Sequence, residues 1–148
     1  MRGAIQVSSI ALVLALFAGC GTIGGQPNLH QASIKPATLR PGDTAIVTVN
    51  VVDAHNIVDR VVGVVKEDPR MKFTMADNGQ GPDVSANDGV WSLQVDVPFM
   101  APPGAFTLEL TAYSKDGQVI MVKDAELGKA PLSAACELVI EHPAESQS

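Results

Sequence analysis

Residues 44–51 read Thr-Ala-Ile-Val-Thr-Val-Asn-Val, and apolar and polar side chains alternate along most of this stretch. Ala45, Val47 and Val49 would share one face of an extended chain, because successive side chains of a β-strand point to opposite faces. The residues between them are polar, with Ile46 as the exception. The stretch therefore predicts a strand with one face buried in a protein core.

The same alternation returns at intervals along the chain, with turn-forming residues between the segments. Pro36 ends the first segment, and Asp116-Gly117 predicts a hairpin turn. The segment 57–65 is rich in Val on both faces, as a central strand would be, and Gly63 within it predicts either a bulge or a close backbone approach. The further strands are predicted at residues 32–35, 57–65, 71–75, 91–97, 106–112, 119–122 and 136–141.

Strand signals dominate the chain between the two termini. The best helical candidate, residues 123–130, is short and interrupted by Gly128. Seven or eight strands in about 110 residues, with turn signals between them, predict an all-β domain built as a two-sheet sandwich. An up-and-down barrel remains the alternative, because the number of strands alone does not separate the two architectures. The domain is predicted to occupy residues 31–142.

The most distinctive local feature is residues 77–91, which read Asp-Asn-Gly-Gln-Gly-Pro-Asp-Val-Ser-Ala-Asn-Asp-Gly-Val-Trp. This segment resembles one that is common in bacterial extracellular immunoglobulin-like modules, where Asp-Asp/Asn-Gly is followed by a further Asp and then by Ala-x-Asp-Gly-Val-Tyr. Trp91 stands here in place of the usual Tyr, and we expect it to be held in the core. The resemblance covers residues 31–122 and implies an immunoglobulin-like sandwich.

The acidic loop, defined as residues 77–89, supports two interpretations. Asp77, Asp83 and Asp88 could bind Ca²⁺, since hard oxygen ligands at short spacing are what this cation requires. The same side chains could instead cap their own turns through hydrogen bonds to backbone N–H groups, with no metal bound. The loop does not follow the EF-hand pattern, because glycines stand where that motif needs side-chain oxygens. Turn capping is favoured, so no cofactor is predicted, with Ca²⁺ as the alternative.

The first 19 residues have the features of a bacterial export signal. Arg2 gives a basic start, and residues 10–18 form an uninterrupted apolar run. At about 1.5 Å per residue, a helix of this length is too short to cross a hydrocarbon core of roughly 30 Å. The length and flanking residues of the run instead predict that residues 1–19 are a signal peptide.

The residues at the end of this segment, Ala18-Gly19-Cys20, resemble the bacterial lipobox, with Phe17 where Leu is usual. The resemblance implies that a diacylglyceryl group is attached to Cys20, that the signal peptide is removed before it, and that acyl chains fix the protein to a membrane. Each buried CH₂ of such a chain contributes about 0.8 kcal/mol to anchoring. Gly21 in place of Asp implies the outer membrane if the host is Gram-negative.

The alternative is an ordinary secretory signal cleaved nearby, which would leave Cys20 free to pair with Cys136 in an oxidising compartment. If Cys20 carries lipid, Cys136 is expected to be a buried and inert thiol. Residues 20–30 are rich in glycine and polar residues and are predicted to be a flexible tether. Residues 143–148 are predicted to be a disordered polar tail.

Composition limits the functions open to the exported chain. The formal net charge is −6 over 148 residues, and removal of residues 1–19, whose only charged residue is Arg2, would make it −7. No cluster of Lys and Arg is present to replace the counterions of a nucleic acid, so DNA or RNA binding is not expected. Motifs of catalytic triads, metalloproteases and phosphate-binding loops are also missing from the sequence, so no catalytic residue is assigned and an enzyme is not expected.

Together these features predict a lipid-anchored, non-catalytic binding or structural module of the bacterial cell envelope. Its expected partners are the membrane, through lipid on Cys20, and an unidentified envelope or extracellular protein. The alternative is a Ca²⁺-dependent adhesion or carbohydrate-binding module that uses residues 77–89. Phe99 and Met100 are expected to cover one end of the core; if they are exposed, they are the best candidates for a partner-binding patch.

Overall fold

The computed structural model describes residues 25–144, which form an all-β domain without a helix. No helix of this range is therefore long and apolar enough to cross a membrane. The predicted signal peptide, Cys20 and residues 145–148 of the predicted tail lie outside the described residues. The strands are β1 (Asn28–Lys35), β2 (Thr38–Leu39), β3 (Thr44–Val52), β4 (Arg60–Val65), β5 (Asp68–Thr74), β6 (Val90–Asp96), β7 (Gly104–Tyr113), β8 (Met121–Asp124), β9 (Gly128–Pro131) and β10 (Ser133–Ile140).

The strands form two larger sheets and one hairpin. The first sheet has the order β1-β3-β6, and the second has the order β2-β10-β7-β4-β5. Strands β8 and β9 pair only with each other within the described range. All strand pairs are antiparallel except β2 and β10, which are parallel. Strands β6 and β5 are therefore edge strands of the two larger sheets.

One hydrophobic core collects side chains from both larger sheets. In β3 the alternation seen in the sequence is confirmed, because Ala45, Val47 and Val49 are buried while their neighbours are more exposed. Val61 in β4 and Leu110 in β7 belong to the same core cluster. Burial of each Val or Leu side chain contributes about 1.5–3 kcal/mol, so the core supplies the main stabilisation of the domain.

The first strand begins at Asn28, which corrects the predicted boundary between tether and domain at residue 31. Leu29 is only 6% exposed and pairs with Val51 of β3. The strand is irregular in its middle: the register shifts between His30 and Ser33, and Gln31 has a φ of 54°. This bulge interrupts the alternation of apolar and polar side chains along the strand. The alternation is therefore recognisable in the sequence only for the second half of β1.

The segment predicted as a central strand at 57–65 is a strand only from Arg60 onwards. The Asp53 carboxylate accepts hydrogen bonds from the backbone N–H groups of Ile57 and Val58, at 3.0 and 2.7 Å, and holds the preceding residues in a loop. Gly63 lies at a close approach, because a Cβ there would be 3.2 Å from side-chain atoms of both Leu108 and Leu110.

The structure has more strands than the seven or eight that the sequence predicted. The additional ones are short: β2 has two residues, and β8 and β9 have four each. The Asp116-Gly117 turn is present, with Gly117 N–H donating to Ser114 O at 2.9 Å. The chain after it pairs back onto β7 only briefly, through the bridge between Val119 and Tyr113 and the hydrogen bond from Ile120 N–H to Ala112 O, and from Met121 onwards it pairs with β9. Residues 123–130 thus form most of a hairpin rather than a helix.

Candidate functional site

The acidic loop connects β5 to β6, and its two ends are fixed by backbone hydrogen bonds. Ala76, just before the loop, forms an isolated antiparallel bridge with Ser92 of β6, with N···O distances of 3.0 and 2.8 Å. Gly89, at the other end, accepts a hydrogen bond from Val51 N–H of β3 at 2.8 Å. The loop is therefore held against the three-stranded sheet at the end where β3 finishes.

The three aspartates named from the sequence come together in the structure. One carboxylate oxygen each from Asp77, Asp83 and Asp88 can be chosen so that all lie within 4.8 Å of one another. Asp83 is only 4% exposed, Asp77 is half-buried and Asp88 is exposed. The cluster thus has a buried floor and an open side, which a small cation could enter from solvent.

Each of the three carboxylates also caps a backbone turn. Asp77 accepts hydrogen bonds from the N–H groups of Asp88 and Gly89 at 3.3 and 3.1 Å, across the base of the loop. Asp88 Oδ1 accepts one from Val90 N–H at 2.8 Å. Asp83 Oδ2 accepts one from Gly79 N–H. These bonds are the turn capping that the sequence favoured.

The backbone of the loop depends on residues with left-handed conformations. Gly79, Gly81 and Gly89 all have positive φ values, as a loop of this curvature requires. Asn87 also has a positive φ, of 59°, and no sequence motif identified it as the fourth such position. Asn is one of the few residue types with a side chain that adopts this conformation readily, which is the signal that was available.

The chemistry of the cluster is compatible with a hard divalent cation. Carboxylate oxygens are the ligands that Ca²⁺ prefers, and an oxygen that accepts one N–H keeps a lone pair for a metal. Both ion pairs within the described range, Arg60–Asp59 and Arg70–Asp68, involve other carboxylates. Among residues 25–144, none of the three loop aspartates forms an ion pair with a basic side chain that would offset their mutual repulsion.

Trp91 follows the loop as the second residue of β6, where it pairs with Val49 of β3. Its side chain is half-buried and packs against the hydrophobic core. The expectation that this residue is held in the core is confirmed to that extent. Its position gives the C-terminal end of the loop a fixed attachment to the sheet.

Cys136 lies in β10 opposite Leu108 of β7, and its side chain is half-buried against the core. Burial raises the pKa of the Cys136 thiol above its ordinary value, because the thiolate loses solvation there. This agrees with the expected inert thiol. Cys20 lies outside the described residues, so its pairing with Cys136 stays an untested alternative.

The sequence did not reveal an apolar cleft at one end of the domain. It has a volume of about 400 Å³ and is lined by residues from five of the strands, from the turn between β4 and β5 and from the loop after β6. Phe99 and Met100 in that loop are 84% and 92% exposed, so the expectation that they cover the core is wrong. A turn closed by Ala101 N–H and Pro98 O, at 3.0 Å, holds them outside the core.

No protein-family description and no curated protein sequence matches this chain. In structure the chain is similar to alkylpurine DNA glycosylase AlkC of Pseudomonas fluorescens bound to DNA containing an abasic site analog, with a TM-score of 0.44 and 11% identity. It is also similar to the endo-β-1,4-mannanase of Thermotoga petrophila, with a TM-score of 0.45 and 11% identity. The matches cover 81% and 77% of this chain but only 32% and 20% of those two proteins.

Proposed function

We propose that this protein is a lipid-anchored component of the bacterial cell envelope that acts by binding rather than by catalysis. The observation that carries the proposal is the apolar run at residues 10–18 followed by Ala18-Gly19-Cys20. Several acyl chains on Cys20 would give durable attachment, since each buried CH₂ contributes about 0.8 kcal/mol. Gly21 directs the anchored protein to the outer membrane in a Gram-negative host.

The proposed architecture is an immunoglobulin-like sandwich of the two larger sheets. Both sheets contribute buried side chains to one core cluster, as a sandwich requires. Within the described residues, the chain of β5 meets β6 only at the single Ala76–Ser92 bridge, whereas a closed barrel would pair these edge strands along their length. These two features favour the sandwich over the barrel that the sequence left open.

Within residues 25–144, no serine or cysteine side chain is hydrogen-bonded to a histidine, which a nucleophile–base pair would need. At the cleft, the hydrogen bond from Thr107 N–H lowers the pKa of Glu67, and the hydrogen bond from Arg70 lowers that of Asp68. Both carboxyls are therefore poor general acids at neutral pH.

Exchange of each cysteine in turn tests the anchor. Cys20→Ser removes the proposed site of lipid attachment, and Cys136→Ser is the matched control with the same chemical change in β10. In fractionated native cells, we expect the Cys20→Ser protein to leave the membrane fraction and the Cys136→Ser protein to remain there. If the Cys20→Ser protein stays with the membranes, or both variants leave them, lipid on Cys20 is not the anchor.

The convergence of Asp77, Asp83 and Asp88 favours a second candidate, a Ca²⁺-dependent adhesion or carbohydrate-binding module. Calorimetric titration of the native protein with CaCl₂ tests it, with MgCl₂ as the competing cation. The Asp83→Asn variant keeps an acceptor for Gly79 N–H but removes one charge from the cluster. Saturable heat with Ca²⁺ that this variant loses would support the metal site, and the absence of heat in the native protein would exclude it.

A further inference from the structure

The apolar cleft lies between β5 and β6, one edge strand from each of the larger sheets. Met71 and Phe73 of β5 line one side, and Val95 of β6 lines the other. Leu138 and Ile140 of β10 form part of its inner wall. The exposed Met100 also lines the cleft, and the exposed Phe99 precedes it in the same turn. Contiguous exposed apolar surface of this kind is typical of an interaction site.

The cleft and the N-terminal end of the domain lie at opposite ends of the sheets. Gly25, the first described residue, lies beside His55 in the loop that follows β3. Thr44, at the start of β3, pairs with Asp96, and Asp96 lines the cleft. Eight residue steps of about 3.3 Å each separate the two ends of β3 by roughly 26 Å. A chain anchored upstream of Gly25 would therefore present the cleft away from the membrane.

The charged residues at the cleft are all acidic. Glu67, Asp68 and Asp96 are among its lining residues, whereas no Lys or Arg is. Glu67 accepts a hydrogen bond from Thr107 N–H at 2.9 Å, and Asp96 Oδ1 accepts one from the Thr44 hydroxyl at 2.7 Å. These contacts hold the carboxylates in position. The cleft thus combines an apolar interior with a negatively charged rim.

Asp68 is also bound by Arg70, with N···O distances of 2.9 and 3.0 Å. The Arg70 side chain is 89% exposed, so this ion pair is screened by water and contributes little. A cationic side chain of a partner could therefore join Asp68 at modest cost. The rim favours a partner with basic residues near an apolar one.

The β5 edge offers backbone groups next to the cleft. Met75 N–H donates to Val61 O at 2.9 Å, and Phe73 pairs with Gly63. Because hydrogen-bonding direction alternates along an antiparallel strand, the peptide groups of Lys72 and Thr74 point away from β4, to an edge that meets β6 only at the Ala76–Ser92 bridge. Pro69 and the shift of register between Asp68 and Lys72 blunt the first part of the strand. The remaining part is long enough to pair with a short extended segment.

We propose that this cleft binds an extended segment of another envelope protein, in which an apolar side chain is flanked by Lys or Arg two residues to either side. A spacing of two places all three side chains on the face that meets the cleft and its rim. A second copy of this chain is disfavoured, because it would bring two acidic rims together. The chain's own segment before Gly25 is also disfavoured, because Gly25 lies at the end of the sheets opposite to the cleft. The inference rests on the proposed binding role and specifies its partner.

The experiment measures binding of a labelled synthetic peptide, Ser-Lys-Ser-Phe-Ser-Lys-Ser, by fluorescence anisotropy. The protein is purified as the cell makes it and, where it carries lipid, is placed in phosphatidylcholine nanodiscs, which bring no net lipid charge. We expect saturable binding that the double variant Asp68→Asn/Asp96→Asn weakens by about tenfold, since two charge pairs at the rim are lost. The matched control, Asp116→Asn/Glu126→Gln, removes the same charge from the opposite end and should bind like the native protein.

A second double variant, Phe99→Ser/Met100→Ser, changes only exposed side chains and should also weaken binding while leaving the melting temperature unchanged. The proposal is overturned if the native protein shows no saturable binding of the peptide, or if it binds a peptide with Glu in place of Lys equally well. It is also overturned if the Asp116→Asn/Glu126→Gln control loses as much affinity as the Asp68→Asn/Asp96→Asn variant. Self-association of the native protein that the Phe99 and Met100 changes abolish would make a second copy the occupant instead. If peptide binding fails while Cys20→Ser still releases the protein from membranes, the cleft inference falls and the proposed anchor stands.

Discussion

Asp77 holds the base of the acidic loop through two backbone N–H groups, those of Asp88 and Gly89. Asp77→Ala leaves both donors without their acceptor, and we expect the free energy of unfolding to fall by about 1–2 kcal/mol. Urea denaturation measures the change. Asn78→Ala is the control, because the Gln80 N–H that Asn78 caps is exposed and can bond to water. Equal effects of the two substitutions would contradict this role of Asp77.

The Cys136 thiol should react slowly in the folded protein. Burial raises its pKa, so less thiolate is present at pH 8 than in the unfolded chain, and access is also limited. We expect alkylation by iodoacetamide, followed at the Cys136 peptide by mass spectrometry, to be at least about tenfold slower without urea than with it. Similar rates in the two conditions would show that the thiol is exposed.

At the scale of single residues, some features of the acidic loop could be predicted from the sequence and others could not. Asp77, Asp83 and Asp88 could be grouped from the sequence, because all three lie in one turn-rich segment between two predicted strands. The left-handed conformations of Gln31 and Asn87 could not be predicted, because the surrounding strand pairing or turn sets each of them and no sequence motif does. The exposure of Phe99 depends in the same way on a turn closed by its neighbours.

Strands β4 and β7 meet closely at Gly63. A Cβ at this position would lie 3.2 Å from atoms of Leu108 and Leu110, so Gly63→Ala forces side chains of β7 to move. We expect the free energy of unfolding to fall by about 1–3 kcal/mol through overpacking. Thermal or urea denaturation measures this loss.

The companion variant Leu110→Val separates overpacking from a local preference of the β4 backbone. It removes volume at the contact and should cost less stability in the Gly63→Ala background than in the native chain. If the two changes are additive, Gly63 and Leu110 do not compete for the same space, and the close approach is not the reason for the glycine.

Whole strands with a clear two-residue period could be predicted, and β3 is the best example. The shorter strands β2, β8 and β9 could not, because two to four residues do not contain enough of a period to show one. They exist because a partner strand or a turn holds them. In the hairpin of β8 and β9, Asp124 caps the turn by accepting hydrogen bonds from Glu126 and Leu127 N–H, at 2.8 and 2.9 Å.

The molecule as a whole should lose stability in acid. Backbone N–H groups lower the pKa of Glu67 and Asp124 in the folded state, and Arg70 lowers that of Asp68. A carboxyl with a lowered folded pKa stabilises the fold above its unfolded pKa, and this contribution disappears as the pH falls through the folded pKa. We therefore expect the melting temperature to fall between pH 5 and pH 3, where carboxyl groups of this kind protonate.

Glu67→Gln isolates one part of this effect. The variant keeps an oxygen acceptor for Thr107 N–H but does not titrate, so its melting temperature should fall less on acidification than that of the native protein. Calorimetric scans at pH 7 and pH 3 make the comparison. An equal or larger fall in the variant would mean that the Glu67 contact adds nothing to the acid dependence.

The all-β class could be predicted at the scale of the whole molecule, because it follows from the sum of local patterns. The apolar cleft could not, since its lining comes from strands that are distant in sequence and meet only after both sheets have formed. The proposed location in the envelope, unlike the cleft, is inferred from a local sequence feature. It depends on a short segment before the domain and on none of the strand pairing described above.

Intact-mass analysis of the protein isolated from its native host tests the central proposal most directly. The proposed processing predicts a mature polypeptide that begins at Cys20 and carries the additional mass of a diacylglyceryl group, with a further acyl chain where the new amino group is modified. A polypeptide that still contains Met1, or one whose mass includes no acyl group and a disulfide between Cys20 and Cys136, would contradict it.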